Sequence, residues 1–593
     1  MPLPFPAPTQ RPGVRGLIAF ALMCGAWGGQ IERALAQDGW SPTFRTQPAP
    51  PRVKSQPQPE PPPPAWRDPP PDGYQRPEPA PRGGVEKMDL DPVAANDGSG
   101  LPLELWRGLD IKSLEGLLAA IELPPKSPAL NALWRRMLQS SAPPPAGAPA
   151  DHFAAVRLEA LYRSGLLAEM SEAEASGAGG PVVTTILARR DIGLGDPARG
   201  CQRLKSLSDP RAGLPDRLRG EVQLLLGYCA AIANDKPGAG LAASLAREEG
   251  LEAELPLTVL SGWSDDLKPQ LTLPKRILLL DYRFLELLGP VNGRQVLDRA
   301  EPALLAVLAG DRNTDAATRV AAAEAAMRLN AIAPEIVAQT YREAASSRRQ
   351  GVAADNDPAL RRATEFAVTE QQGGGSQLAQ SLHALMRDAR RGGFGIQMGQ
   401  VISTRFERAQ PGMQDSAIAE PVAEAMLAAG KIDQARAWAA AGQQGMPHWM
   451  ALIDLVDPAR KSWRFGTLAV LEDMAVRNRL SADVLHRLAT VLDALDIDVP
   501  VPLWDAANRV GQPKGGYLPE TGVLAELADA AKRGDSARTI LLVMRALGPH
   551  GADGANILPL GDSLRALRKI GLEADARRLA LEALLPVWPR FAS

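Results

Sequence analysis

From Leu101 to the C-terminus apolar residues recur at spacings of three and four, and no stretch sustains the period-two alternation of a half-buried strand. The clearest case is "PDRLRGEVQLLLGYCAAIAND". There Leu218, Val222, Leu225, Cys229 and Ile232 stand 4, 3, 4 and 3 apart, which predicts a helix with those five on one face. Pro215 and Asp216 predict its start, because proline fits a first helical turn and aspartate accepts orphan backbone N–H bonds. Lys236-Pro237-Gly238 predicts its end. A second helix, "AGLAASLAREEG", follows directly, so the two make an antiparallel helical hairpin.

The same grammar returns twice near the C-terminus. "EPVAEAMLAAGKIDQARAWAAAG" predicts a helix, a turn at Gly430 and a second helix with Ala435 five residues past the glycine; "LRALRKIGLEADARRLALEALL" repeats it with Gly571 and Ala576. Gly238 and Ala243 give the first hairpin the same offset. The glycine is expected to supply the turn and the small residue to let the helices cross closely. "DRNTDAATRVAAAEAAMRLNAIAPEIVAQTYREA" predicts one more hairpin, with Ala316, Val320, Ala323 and Met327 inward and Pro334 opening its second helix. This logic resembles that of tetratricopeptide-like α-solenoids, although a strict 34-residue period and that family's aromatic signature are missing. The resemblance covers three to five hairpins and implies architecture only. The expected fold is all-α, stacked antiparallel helical hairpins, interrupted at 141–150, 176–181, 371–377 and 509–522 where Gly and Pro cluster.

Upstream the pattern changes. From Ser41 to Arg82 the chain holds 16 prolines and almost nothing apolar to bury, which predicts a disordered polyproline-type spacer over 37–98 rather than a domain. A flexible leader, a stalk and a ligand for a proline-reading domain are the roles open to it. At the N-terminus Arg11 and Arg15 precede the apolar run Gly16 to Trp27, and Ala34-Leu35-Ala36 offers a small-x-small cleavage site. Residues 1–36 therefore read as a secretory signal cleaved after Ala36, with an uncleaved anchor as the alternative; the run falls short of the roughly 20 residues a spanning helix needs. The expected location is periplasmic or secreted. The helical part is divided at a soft boundary into 99–410 and 411–593, with one continuous superhelix as the alternative.

Charge narrows the partners. Lys+Arg 66 against Asp+Glu 68 leaves no global field to attract nucleic acid or an anionic membrane. Removal of the signal leaves two cysteines, Cys201 and Cys229, on neighbouring predicted helices. In an oxidising compartment they are a candidate disulfide, against the alternative of two buried thiols.

Candidate chemistry is sparse. "LPLGDSLRAL" contains Gly561-Asp562-Ser563-Leu564, which resembles the nucleophile motif of GDSL esterases and lipases. Those enzymes need a histidine downstream to activate the serine. Here the last histidine, His550, precedes the motif, and the expected role of Asp562 or Ser563 is to cap the helix carrying Leu564 and Leu567 inward. His152, His383, His448, His486 and His550 lack ligand spacing and read as surface or turn residues. "RRGGFGIQMGQ" has glycines at 392, 393, 395 and 399, but it follows a helix and fits neither nucleotide-binding fingerprint, so it reads as a loop. Trp438, Trp449, Trp463 and Trp504 are expected in the core or as wedges between hairpins; a groove exposing them would be a binding surface.

The sequence thus predicts a non-catalytic scaffold or adaptor in the cell envelope that binds another protein there, with no catalytic residue, metal or cofactor assigned and no transmembrane segment in the mature chain. The alternatives are an envelope enzyme with a dispersed site and, if the signal is retained, an anchored stalk protein. A pocket of converging ionisable groups would favour the enzyme, and a long groove without them the scaffold.

Overall fold

A computed structural model describes residues 97–171, 179–207, 213–348, 357–459 and 465–590. The expected signal segment 1–36 and the proline-rich stretch up to residue 96 lie outside the described residues, as does Trp463. Within them the chain is all-α, with most helices joined by short turns and longer connections at 265–278 and 510–522; no strand occurs there, only isolated bridges such as Asp110 with Ala146.

Sequential helices pack as antiparallel neighbours. Pro181–Gly193 pairs with Pro197–Lys205, Asp216–Ile232 with Lys236–Glu248, Ala419–Ala428 with Ile432–Ala441, and Ile557–Lys569 with Glu573–Leu584. Many turns share one construction. A residue with positive φ follows the first helix, and the next N–H reaches back five residues: Lys431 N to Met426 O at 2.8 Å after Gly430, Leu572 N to Leu567 O at 2.9 Å after Gly571. This six-to-one bond absorbs a carbonyl the helix end would otherwise leave unsatisfied.

At the first hairpin the structure corrects the expected turn. Asn234, with φ of 61°, takes the left-handed position, and Asp235 N donates to Ala230 O at 2.8 Å. Lys236-Pro237-Gly238 does not end a helix; it forms the first turn of Lys236–Glu248, where Asp235 caps the Gly238 N–H. Asparagine bonds its own backbone and tolerates the left-handed region, so it replaces the glycine. Counted from Asn234, the residue five positions on is Ala239. It is fully buried, like Ala435 and Ala576 at the same offset in the other hairpins. On the predicted stripe Val222 and Leu225 are buried, Leu218 and Cys229 partly so, while Ile232 is 51% exposed because the helix ends there.

Helix starts are equally legible in retrospect. Ser127, Asp196 and Asp357 each cap a helix whose next residue is proline, accepting from the Leu130, Arg199 and Ala359 N–H groups.

The interior forms two main clusters. A smaller one, from Ala188 to Leu285, fills the hairpins around Asp216–Glu248; the larger runs from Leu101 to Trp588 and crosses residue 410 without interruption, since Gly395–Phe406 packs directly on Ala419–Ala428. Among the described residues no helix is long and apolar enough to cross a membrane.

Candidate functional site

Two ends of the helical unit meet. The Pro128–Gln139 helix packs against Ser536–Leu547 and Glu573–Leu584, and Ala537 N donates to Leu105 O at 3.0 Å. The segment leading into that helix is a hub. Asn330 Nδ2 donates to the carbonyls of Pro125 and Lys126 at 3.2 and 2.9 Å, and Gln397 Nε2 reaches Lys126 O at 3.4 Å.

The C-terminal side of this closure is ionic. Arg136 pairs with buried Asp575, and Glu582 accepts from the Ser127 hydroxyl and from the Ala129 N–H, the latter at 2.5 Å. Ser127 also accepts from Leu130 N–H, so its hydroxyl is engaged on both sides. Burial raises the Glu582 carboxyl to about 7, against the lowering effect of its two donors, and the charge of Asp553 adds to the rise. Burial also raises Asp553, which Arg487 and His550 oppose.

Beside the hub lies a cavity of about 630 Å³ that opens to solvent. Its lining includes the acidic residues Glu582, Asp553, Asp298 and Glu424, the basic residues Lys126, Arg328, Arg390 and Arg590, and His550, with Leu297, Leu305 and Ile396 as apolar surface. Glu424 is buried and held twice: Arg390 Nη1 donates to both its oxygens at 2.9 and 3.0 Å, and Arg590 donates through Nε at 3.0 Å and Nη2 at 2.6 Å. Arg590 spends its remaining N–H groups on the carbonyls of Leu585, Pro586 and Trp588. Burial pushes the Arg390 guanidinium below its usual range, and the charge of Glu424 resists the shift.

The glycine-rich segment is a turn, as expected, but not a bland one. Gly392, Gly393 and Gly395 form part of the cavity wall between the Gly375–Arg391 and Gly395–Phe406 helices. A Cβ at Gly395 would stand 2.5 Å from Arg390 Cγ, and one at Gly392 2.4 Å from Phe394 Cε1. The glycines therefore serve close packing of Arg390 and Phe394. No nucleotide fingerprint pointed to this, because the cavity is assembled from segments hundreds of residues apart.

The other sequence candidates fall elsewhere. Ser563 and Asp562 are not caps: the Ile557–Lys569 helix is capped by Asn556, and both residues sit in its middle because the helix begins earlier than "GDSL" suggests. Ser563 is fully buried and its hydroxyl has no hydrogen-bond partner among the described residues, while Asp562 pairs with Arg565. Leu564 and Leu567 point inward as expected. His448 is a second correction, being buried in the first turn of Pro447–Val456, where desolvation lowers its imidazole to about 4. His152 and His550 are exposed, and His383 and His486 are intermediate. Trp438 and Trp449 are core residues, whereas Trp504 is 45% exposed. Cys201 and Cys229 stand at disulfide distance, 5.8 Å between Cα atoms. Among the described residues no group of three or more His, Cys, Asp or Glu is placed to hold a metal.

Compared with known proteins, the chain matches no family model, no curated protein and no solved structure.

Proposed function

We propose that this chain is a tetratricopeptide-like scaffold or adaptor of the cell envelope, exported by its N-terminal signal and binding another envelope protein without catalysis. The observation that carries the reading is the succession of packed helical hairpins, an architecture whose usual output is a binding surface. Val501 and Trp504, exposed three residues apart on the Val501–Arg509 helix, are the place where we would look for that surface first. The polar groups of the cavity are largely engaged in holding the fold: Ser127 and Glu582 with each other, Glu424 with two arginines.

The test is in-cell crosslinking of the tagged protein, capture from the envelope fraction and mass spectrometry. One envelope protein recovered in near-equal amount, and lost with Trp504→Ser, supports the scaffold. Recovery of the chain alone at high crosslinking yield counts against it.

A second reading is favoured by the cavity itself. Asp553, Glu582 and His550 line it together, and both carboxyls are raised, which is the environment an acid–base site uses. An enzyme reading requires a turnover that Asp553→Asn abolishes without altering the thermal midpoint.

A further inference from the structure

Two of the arginines that line the cavity have more hydrogen-bonding capacity than the fold uses. Arg390 gives Glu424 only its Nη1, and among the described residues its Nε and Nη2 meet no acceptor. Arg328 has no hydrogen bond recorded either. Its guanidinium lies 4.3 Å from the centre of the Phe394 ring, and its one ion pair, to Glu324, is 3.7 Å long. Glu324 is already bonded by Arg362 and by the Tyr341 hydroxyl, so it compensates Arg328 poorly. Glu424 likewise offers one negative charge against two guanidiniums.

The charged side chains around the cavity balance, Lys126, Arg328, Arg390 and Arg590 against Asp298, Glu424, Asp553 and Glu582, so what the site offers is not net charge but two guanidiniums with unused N–H groups lining a concave, partly apolar space. Guanidinium forks bind carboxylate and phosphate through paired N–H groups, and the aromatic face beneath Arg328 fixes its plane. A space of about 630 Å³ falls in the range of small-ligand sites. The geometry points to a binding site for a small organic oxyanion, a carboxylate or a phosphate, held by Arg328 and the open edge of Arg390. Leu297, Leu305 and Ile396 would face its apolar part. Arg590, whose N–H groups are spent, and Glu424 hold Arg390 in place as positioning residues. The site goes beyond the scaffold reading and stands whether or not the protein partner exists.

The full-length protein is titrated calorimetrically with citrate and, separately, with inorganic phosphate, at an ionic strength kept constant with sodium chloride. A saturable isotherm is expected with at least one probe. Arg328→Gln is expected to weaken it about tenfold or more, equivalent to roughly 1.4 kcal/mol. The unliganded thermal midpoint should fall only slightly, because Arg328 is 46% exposed, holds no hydrogen bond and gives up only its contact with the Phe394 ring and the long ion pair to Glu324. Arg391→Gln, one turn end away and outside the cavity, is the control and should bind as wild type. Tighter citrate binding identifies a carboxylate ligand, and tighter phosphate binding a phosphate. Absence of a saturable isotherm with both probes overturns the site, and so does equal weakening in both variants, which would mean bulk charge attraction.

Discussion

The hairpins from Ala188 to Leu285 and the closure between residues 125–136 and 575–590 both bury apolar side chains, but they join residues across very different distances in sequence. The first region has its own apolar cluster and a cysteine pair only 28 residues apart in sequence. The second joins residues more than 400 positions apart through buried polar groups, Ser127 and Ala129 on Glu582 and Arg136 on Asp575. Local stacking needs only small residues at crossings and a turn that absorbs the helix end. Closure has no such periodic signal: beside the apolar faces that Pro128–Gln139 and Glu573–Leu584 bury, it sets a few polar groups in the interior that are costly to leave unpaired.

The largest expected loss separates the two. The double variant Cys201→Ser/Cys229→Ser should lower stability by roughly 3.5 kcal/mol in the chain-entropy model for a loop of this length. Amide exchange should accelerate in Asp216–Ile232 and Lys236–Glu248 and stay slow in Ile557–Lys569. Uniform acceleration along the whole chain would show that the two regions unfold as one.

Next in size is Glu582→Ala, about 3 kcal/mol, because it strands the Ser127 hydroxyl and the Ala129 N–H in a buried site. Here exchange should rise in Pro128–Gln139 and Glu573–Leu584 first. The same carboxyl predicts a pH dependence. Its pKa rises from 4.5 to about 7 on folding, so between those values the folded chain keeps a proton that the unfolded chain has lost. Its contribution is therefore fullest below about pH 4.5 and is lost as pH rises through 7. The charges that face it are Asp553 and, beside Asp553, His550 and Arg487. Urea midpoints at pH 5 and pH 8 should differ more in wild type than in Glu582→Gln; an equal difference in both would remove Glu582 as the cause.

What the sequence disclosed follows the same division. The stripe through Val222 and Leu225 and the buried alanines at 435 and 576 were readable, because burial on a helix repeats every three to four residues. The Asn234 turn was misread as Gly238, since proline and glycine punctuate a helix start as well as a stop. Ser563 was misplaced for a related reason: a capping pattern was accepted where Asn556 already capped the helix. The cavity was not readable at all. Gly395, Arg390, Arg328 and Glu582 are ordinary letters in their own segments, and only closure of the chain assembles them.

Ala435→Leu is expected to cost about 2 kcal/mol. Its Cβ lies fully buried where Ile432–Ala441 crosses Ala419–Ala428, and added methylenes there must push two helices apart. A thermal midpoint unchanged from wild type would mean that the crossing has room, and the alanine at this offset would lose its meaning as a packing signal.

The smallest effect tests the turn rule itself. Asn234 holds φ of 61° so that Asp235 N can reach Ala230 O. Asn234→Gly keeps the left-handed conformation accessible and should change stability by no more than about 0.5 kcal/mol, whereas Asn234→Val puts a β-branched side chain where it clashes and should cost about 1–2 kcal/mol. Thermal unfolding of the three proteins side by side decides it. If valine proves as stable as asparagine, the six-to-one bond is not what ends this helix. The hairpin would then be held by the burial of Ala239 and Ala243 and by the nearby cysteine pair, without help from the turn.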